Sequence, residues 1–260
     1  MPTIAATDGS PLHYEVHGTG ATGMLLLHGM GGTLTTWHPL LERLDLSQLR
    51  VVTPDLRGHG KSHGGEASFN FAQLDQDLWA VIDAAGLDRV IIVAQSGSGK
   101  NAICAALSKP TRVRGMVLTA CSGMGEVPLP RETIKWFFDA IEKDGRVPSE
   151  FDPWFSEKLG ALRTVVDREY AATPRTVLDA SAELWVYTPV VEQASRITQP
   201  VLVIAGSREP LYHPEFQRIN TLSALAHASM EIFDCGHLIP FEEPVALARS
   251  LTRFCAALSD

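Results

Sequence analysis

The stretch VIIVAQSGSGKNAI, Val90–Ile103, carries two readings that lead to different chemistry. Taken as A-Q-S-G-S-G-K-N, residues 94–101, it lies one step from the phosphate-binding loop G-x-x-x-x-G-K-[ST]. Taken as A-Q-S-G-S, residues 94–98, it is a variant of the nucleophile elbow G-x-S-x-G. Both place a Gly-rich turn between a buried strand and a helix. The phosphate-loop match is thin: Ala94 stands for its first glycine, Asn101 for its Ser/Thr, and only Gly99 and Lys100 agree. Several strand-like runs also precede it, and no later strand ends in an evident magnesium-binding aspartate. An elbow needs small residues two before and two after the nucleophile, because the sharp turn crowds the backbones. Ala94 and Ser98 meet that need without the strict glycines. Ser96 then stands at the tip, where helix N-terminal amides stabilise developing negative charge. Lys100 and Asn101 fall in the first turn of the helix behind, with Lys100 expected to face solvent.

Working outward, short apolar runs alternate with amphipathic stretches. LHYEV (12–16) alternates like an edge strand, while MLLLHG (24–29), VVTPD (51–55), VIIVAQ (90–95), VRGMVLTAC (113–121), PVLVIAG (200–206) and SMEIFDC (229–235) read as buried strands. Near-continuous Val, Leu and Ile content is what a sheet covered on both faces requires. Phe71, Leu74, Leu78, Ile82 and Ala85 recur at helical spacing and Gly86 ends the stripe. A helix follows the elbow and stops at Pro110, and Pro244 starts a last one. This alternation predicts an α/β fold: a mostly parallel sheet with helices on both faces. From about Gly123 to Ile197 no strand is convincing; three helical stretches near 131–143, 153–171 and 174–195 take its place. We read 123–197 as a helical cap inserted after the sixth main strand, and 1–122 with 198–260 as the core. The cap is rich in aromatic residues, and Trp136, Phe137, Trp154 and Trp185 are candidates to line an apolar substrate pocket.

Composition narrows the function. The chain has 260 residues, 45% hydrophobic and 20% charged, which suits a folded protein and argues against disorder. A net charge of −8 without a basic run argues against nucleic acid or an anionic membrane surface as partner. No signal peptide is indicated at the N-terminus and no apolar run reaches the roughly 20 residues of a membrane span, so a cytoplasmic protein is expected. Cys104, Cys121, Cys235 and Cys255 are scattered without C-x-x-C spacing and read as buried free thiols.

A serine nucleophile is inert without a base, and the base needs an acid to orient it. CGHLIPFEEP supplies His237 after Gly236, just beyond the last strand, within G-H-x-x-x-x-E-x-P. PVLVIAGSREP supplies Glu209, three residues past Gly206, in the chain order Ser, acid, His. Glu126, after the preceding strand, is a second candidate acid. With these in place the sequence resembles the α/β-hydrolase superfamily along almost its whole length. LLLHGMGGTLTTW is similar to the family's H-G-x-G-G oxyanion segment. VVTPDLRGHGKS is similar to its D-x-R-G-H-G-x-S loop, matching at Asp55, Arg57, Gly58, His59, Gly60 and Ser62.

The resemblance implies a cofactor-independent serine hydrolase. Ser96 would attack a carbonyl carbon, His237 would take its proton, and Glu209 would hold the imidazole. The amides of Met30 and Gly97 would form the oxyanion hole. His28, Asp55, Arg57 and His59 are expected to be architectural. No paired ligand spacing suggests a metal and no G-x-G-x-x-G suggests a dinucleotide. A serine at the elbow points away from the family's dehalogenases and epoxide hydrolases, which carry aspartate there. The expected substrate is a small carboxylic ester or lactone with an apolar part, as for the family's small esterases and lactonases. A carbon–carbon bond hydrolase of a diketone-type substrate, using the same triad, is the alternative, followed by a ligand receptor on the same fold.

Overall fold

The computed structural model describes residues 2–64 and 69–258. The apolar runs become strands: β1 (Thr3–Ala5), β2 (Pro11–His17), β3 (Thr22–Leu27), β4 (Leu49–Pro54), β5 (Val90–Gln95), β6 (Val113–Thr119), β7 (Val201–Gly206) and β8 (Ala228–Phe233). They form one sheet in the order β1-β2-β4-β3-β5-β6-β7-β8. β2 pairs antiparallel with β1 and β4, and all later neighbours are parallel. The chain passes from β3 outward to β4 and then returns across β3 to β5. The loops leaving β3 and β5 therefore diverge from adjacent strand ends, which is where open α/β sheets build their sites.

Among the described residues ten α-helices accompany the strands: α1 (His38–Leu41), α2 (Phe71–Ala84), α3 (Ser98–Ser108), α4 (Arg131–Asp144), α5 (Arg163–Ala172), α6 (Arg175–Ala182), α7 (Val191–Ser195), α8 (Pro214–Asn220), α9 (Ile239–Glu242) and α10 (Pro244–Ala257). Strand side chains alternate between the two faces. Leu25, Leu27, Val52 and Ile92 pack under α2 and α3, with Leu74, Leu78 and Ile103. Met24, Leu26, Val51 and Val93 face the other way, against Leu40, Leu247 and Leu251 of α1 and α10. Full burial of each such side chain contributes about 1.5–3 kcal/mol, so both helical layers are fastened to the sheet.

Between β6 and β7 the described chain is helical, as expected, but more broken than its periodicity suggests. Residues 153–171 are not one helix. Short 3-10 turns at Ser149–Trp154 and Glu157–Leu162 precede α5, and Gly160 interrupts the second with φ 50°. Residues 174–195 likewise divide into α6, a wide turn over Glu183–Tyr187, and α7 beyond Pro189. Their apolar faces form a core of their own, which includes Ile134, Phe138, Leu159, Val166 and Leu178.

Three further expectations are corrected. LHYEV is not at the sheet edge, because the short β1 pairs outside it. β8 is an edge strand with its side chains only half covered, so its buried reading fails. Cys121 and Cys235 are buried free thiols, whereas Cys104 and Cys255 are partly exposed. Among the described residues no helix is long and apolar enough to cross a membrane.

Candidate active site

β5 is buried along its whole length and ends at Gln95. The chain then turns at Ser96, whose φ of 58° is left-handed, a conformation costing a non-glycine residue of order 1–3 kcal/mol. Neighbouring bonds hold it there: Ser96 N–H donates to Thr119 O at 2.9 Å, and Gly99 N–H donates to Ser96 O at 3.1 Å. Ser98 Oγ donates to Leu27 O at 3.0 Å and to Gln95 O at 2.7 Å, tying the elbow back to β3 and β5. The absent side chains matter sterically. A Cβ on Gly97 would lie 2.4 Å from Trp185 Cβ, and one on Gly99 2.5 Å from Cys121 Sγ. Lys100, expected in solvent, is fully buried; its ammonium donates to Gly125 O at 2.9 Å and Thr188 O at 2.8 Å. Its four methylenes lie in the core, and burial lowers its pKa to about 8. It joins α3 to the start and end of the helical segment instead of holding a phosphate.

His237 Nε2 lies 3.1 Å from Ser96 Oγ. Its loop is fixed from both sides by Glu242, a buried carboxylate in α9. Glu242 Oε2 accepts from Gly236 N–H at 2.7 Å and Ser156 N–H at 2.8 Å, and Oε1 from Leu238 N–H at 2.9 Å. His237 N–H donates to Trp154 O at 2.6 Å, and Gln95 Nε2 donates to His237 O at 2.7 Å. Burial pushes the imidazole down to about 4, leaving it neutral at pH 7 and able to accept a proton.

Glu209 sits past the end of β7 and is 1% exposed. Leu211 N–H donates to its Oε1 at 3.1 Å. Burial pushes its pKa up to about 8, against the lowering pull of the Leu211 and Tyr212 amides. Its Oε2 and His237 Nδ1 are both buried without a hydrogen-bond partner. They are the two atoms a Ser–His–Glu arrangement joins. Glu126, by contrast, is exposed and outside the cavity wall, where its charge acts on Lys100, Arg131 and Tyr187.

The segment expected to supply the oxyanion hole, residues 28–32, follows β3. No described residue accepts the amide of Met30 or of Gly97, so both donors remain free for a ligand oxygen. The histidines nearby are held within the loops: His28 Nδ1 donates to Gly29 O at 2.8 Å while Nε2 accepts Leu56 N–H at 2.9 Å. His59 Nε2 takes the amide of Gly31 at 3.4 Å. Asp55 accepts the amides of Leu34 and Lys61, each at 2.8 Å. Arg57 is bound between Asp8 and Asp77 at 2.7 Å each. These groups support loops, and none of them hydrogen-bonds to Ser96 or His237.

Ser96 and His237 open on a cavity where the centre of a water molecule has about 80 Å³ to move, lying between the sheet and the helical segment. Phe137 and Trp154 line it, but Trp136 and Trp185 do not. Trp136 is 44% exposed and stacks outward on Phe151. Trp185 is buried behind the elbow, filling the space that Gly97 leaves, with Nε1 donating to Asn101 Oδ1 at 3.1 Å. Helical periodicity does not tell a ring facing a cavity from one facing the core. Among the lining residues that the sequence reading did not single out are Gln95, recognisable only as the neighbour of Ser96, and Glu169. The spacing Leu162, Val166, Glu169 would have put that glutamate on the apolar face of α5.

This arrangement has relatives. The sequence matches the alpha/beta hydrolase family over residues 24–250. It is 35% identical to a 2-hydroxy-6-oxononadienedioate/2-hydroxy-6-oxononatrienedioate hydrolase of Burkholderia vietnamiensis, over 95% of this chain and 92% of that protein. In structure it is similar to the enol-lactonase of Burkholderia xenovorans LB400, with a TM-score of 0.85, 21% identity, and 98% and 100% of the two chains covered. A thermophilic esterase of Thermogutta terrifontis superposes with a TM-score of 0.85 at 22% identity, covering 100% and 99%. The chain belongs to the alpha/beta hydrolase family and is a hydrolase.

Proposed function

We propose that this hydrolase cleaves a neutral carboxylic ester or lactone with an apolar part, through an acyl-enzyme on Ser96. The observation that carries this reading is the Ser96 Oγ to His237 Nε2 distance of 3.1 Å at the floor of a cavity walled mainly by apolar side chains. With its ring proton on Nδ1, His237 accepts the Ser96 proton at Nε2 as Oγ attacks the carbonyl carbon. Glu209 Oε2 then receives the Nδ1–H of the imidazolium. The amides of Met30 and Gly97 hold the oxyanion, each worth about 3 kcal/mol of barrier. His237 returns the proton to the leaving oxygen, and a water molecule, deprotonated in the same way, releases the acid.

The name of the Burkholderia vietnamiensis relative favours a second reading, cleavage of a carbon–carbon bond in a diketone-type substrate. Its substrates, as named, carry two carboxylates. The described cavity wall here has no Arg or Lys to pair with them, and it does contain the carboxyl of Glu169, which supports the neutral ester or lactone. The test is a panel of aryl esters, lactones and 2-hydroxy-6-oxononadienedioate, offered to wild type and Ser96→Ala. Turnover of esters or lactones that Ser96→Ala abolishes, with phosphonate labelling of Ser96, is expected. Faster turnover of the dienedioate would establish the second reading. Tight ligand binding without turnover or labelling would make the protein a receptor.

A further inference from the structure

Among the described residues, Glu169 is the only carboxyl group in the cavity wall, and the proposed reaction leaves it unused. It projects from α5 beside Val166 and Tyr170, which also line the cavity. It is 7% exposed. Thr33 Oγ1 donates to its Oε1 at 2.7 Å, and Thr35 Oγ1 donates to the same oxygen. Both threonines belong to the loop that follows the oxyanion segment, so the carboxyl group bridges α5 to that loop. Its second oxygen, Oε2, receives no hydrogen bond from any described residue, and no described Arg or Lys forms an ion pair with it. Unlike Glu209 Oε2, this oxygen is not among the fully buried atoms without a partner, so it stays accessible at the cavity residue that carries it; a ligand that covered it without offering a donor would leave it unpaired at a cost.

We propose that Glu169 Oε2 receives the hydroxyl of a hydroxylated ester or lactone, making Glu169 the residue that selects substrates in this cavity. The inference rests on the ester or lactone reading of the Ser96 site. Two physical consequences define the class. A substrate carrying only hydrocarbon would desolvate Oε2 and leave it unpaired, whereas a hydroxyl restores a hydrogen bond to it. A substrate carboxylate in the same place would be repelled, in keeping with a wall that has no Arg or Lys among its described residues. Burial raises the Glu169 pKa, and the two threonine hydroxyls oppose that shift. Because they already supply donors to Oε1, the group is disposed to accept at Oε2.

The experiment compares paired phenyl alkanoates, each unsubstituted or bearing one hydroxyl at successive chain positions, in wild type, Glu169→Gln and Glu169→Leu. For at least one position, wild type should favour the hydroxylated ester by about tenfold or more in kcat/KM, as expected for a hydrogen bond to a charged group. Glu169→Leu should bring that ratio to about one, and Glu169→Gln should leave an intermediate value. The ratio is internal to each variant and so does not depend on how much folded protein each yields. In parallel, the corresponding methyl ketones, plain and hydroxylated, are titrated calorimetrically into Ser96→Ala with and without Glu169→Leu. Tighter binding of a hydroxylated ketone that Glu169→Leu removes upholds the assignment even if no ester is hydrolysed, an outcome that would overturn only the ester reading. Equal binding of every pair by Ser96→Ala, or a hydroxyl preference that survives Glu169→Leu, overturns the role of Glu169.

Discussion

Replacing Glu209 with glutamine should change how stability depends on pH. In the folded protein burial raises this carboxyl from its usual 4.5 to about 8. In the unfolded chain it ionises near its usual value. The stability conferred by the proton is therefore fully present below pH 4.5 and is lost as pH rises through 8. Each pH unit in that window costs wild type about 1.4 kcal/mol, for a total of roughly 5 kcal/mol. Glutamine is neutral throughout and keeps the shape of the protonated acid. The lowered imidazole of His237 acts in the opposite sense: its stability is present above 6.5 and is lost as pH falls through about 4. Because that contribution exists in both proteins, it drops out of their difference. Urea unfolding followed by tryptophan fluorescence at pH 5, 6.5, 8 and 9, at constant ionic strength, measures that difference. The stability of Glu209→Gln relative to wild type should climb by several kcal/mol between pH 5 and 9. Parallel pH profiles would mean that Glu209 ionises at its ordinary value despite its burial.

In activity above pH 8, where Glu209 carries its charge, Glu209→Gln should lower kcat by about a hundredfold or more, as expected when the imidazole loses its orienting anion, while Glu126→Gln at its exposed position leaves kcat within about twofold. A steady-state comparison on one aryl ester decides between them, and a normal rate in Glu209→Gln would move the role elsewhere. Gly97→Ala places a methyl group 2.4 Å from Trp185 Cβ, and overpacking of this kind costs about 1–3 kcal/mol. A urea midpoint unchanged from wild type would show that Trp185 yields freely. Glu242→Gln puts an amide NH₂ against one of the three backbone N–H groups that Glu242 accepts. The lost bond should reduce stability by about 1–3 kcal/mol and lower kcat more than it raises KM. A KM effect alone would argue against its hold on His237.

The sheet was legible because its strands are buried on both faces, so they appear as unbroken runs of Val, Leu and Ile such as VIIVAQ. Ser96 and His237 were legible for another reason: each stands in a short motif fixed by turn geometry and not by distant partners. The fate of Lys100 was not legible. A lysine in a first helical turn looks solvated until the carbonyls of Gly125 and Thr188 arrive from remote parts of the chain. The same limit applies to the cap rings. Trp154 lines the cavity from a 3-10 turn that leaves little periodic trace, whereas Trp136 lies on the outward face of the regular helix α4, opposite its buried Ile134, Phe137 and Ile141. Glu169 escaped notice for a related reason, since a glutamate on a helix is usually exposed and its threonine partners lie more than a hundred residues away.

The bond from His237 N–H to Trp154 O has a mechanical side. Ser156 is held through Glu242 to the same short loop, and a Cβ on Gly236 would strike Trp154 O at 2.4 Å. The roof of the cavity and the peptide that carries the imidazole are thus one rigid joint. Lifting Trp154 to widen the entrance would drag His237 away from Ser96. Enlarging the cavity for a bulkier substrate by loosening its roof there would therefore part His237 from Ser96, and the productive places to carve are walls that carry no share of that joint, such as Ile134 and Val166.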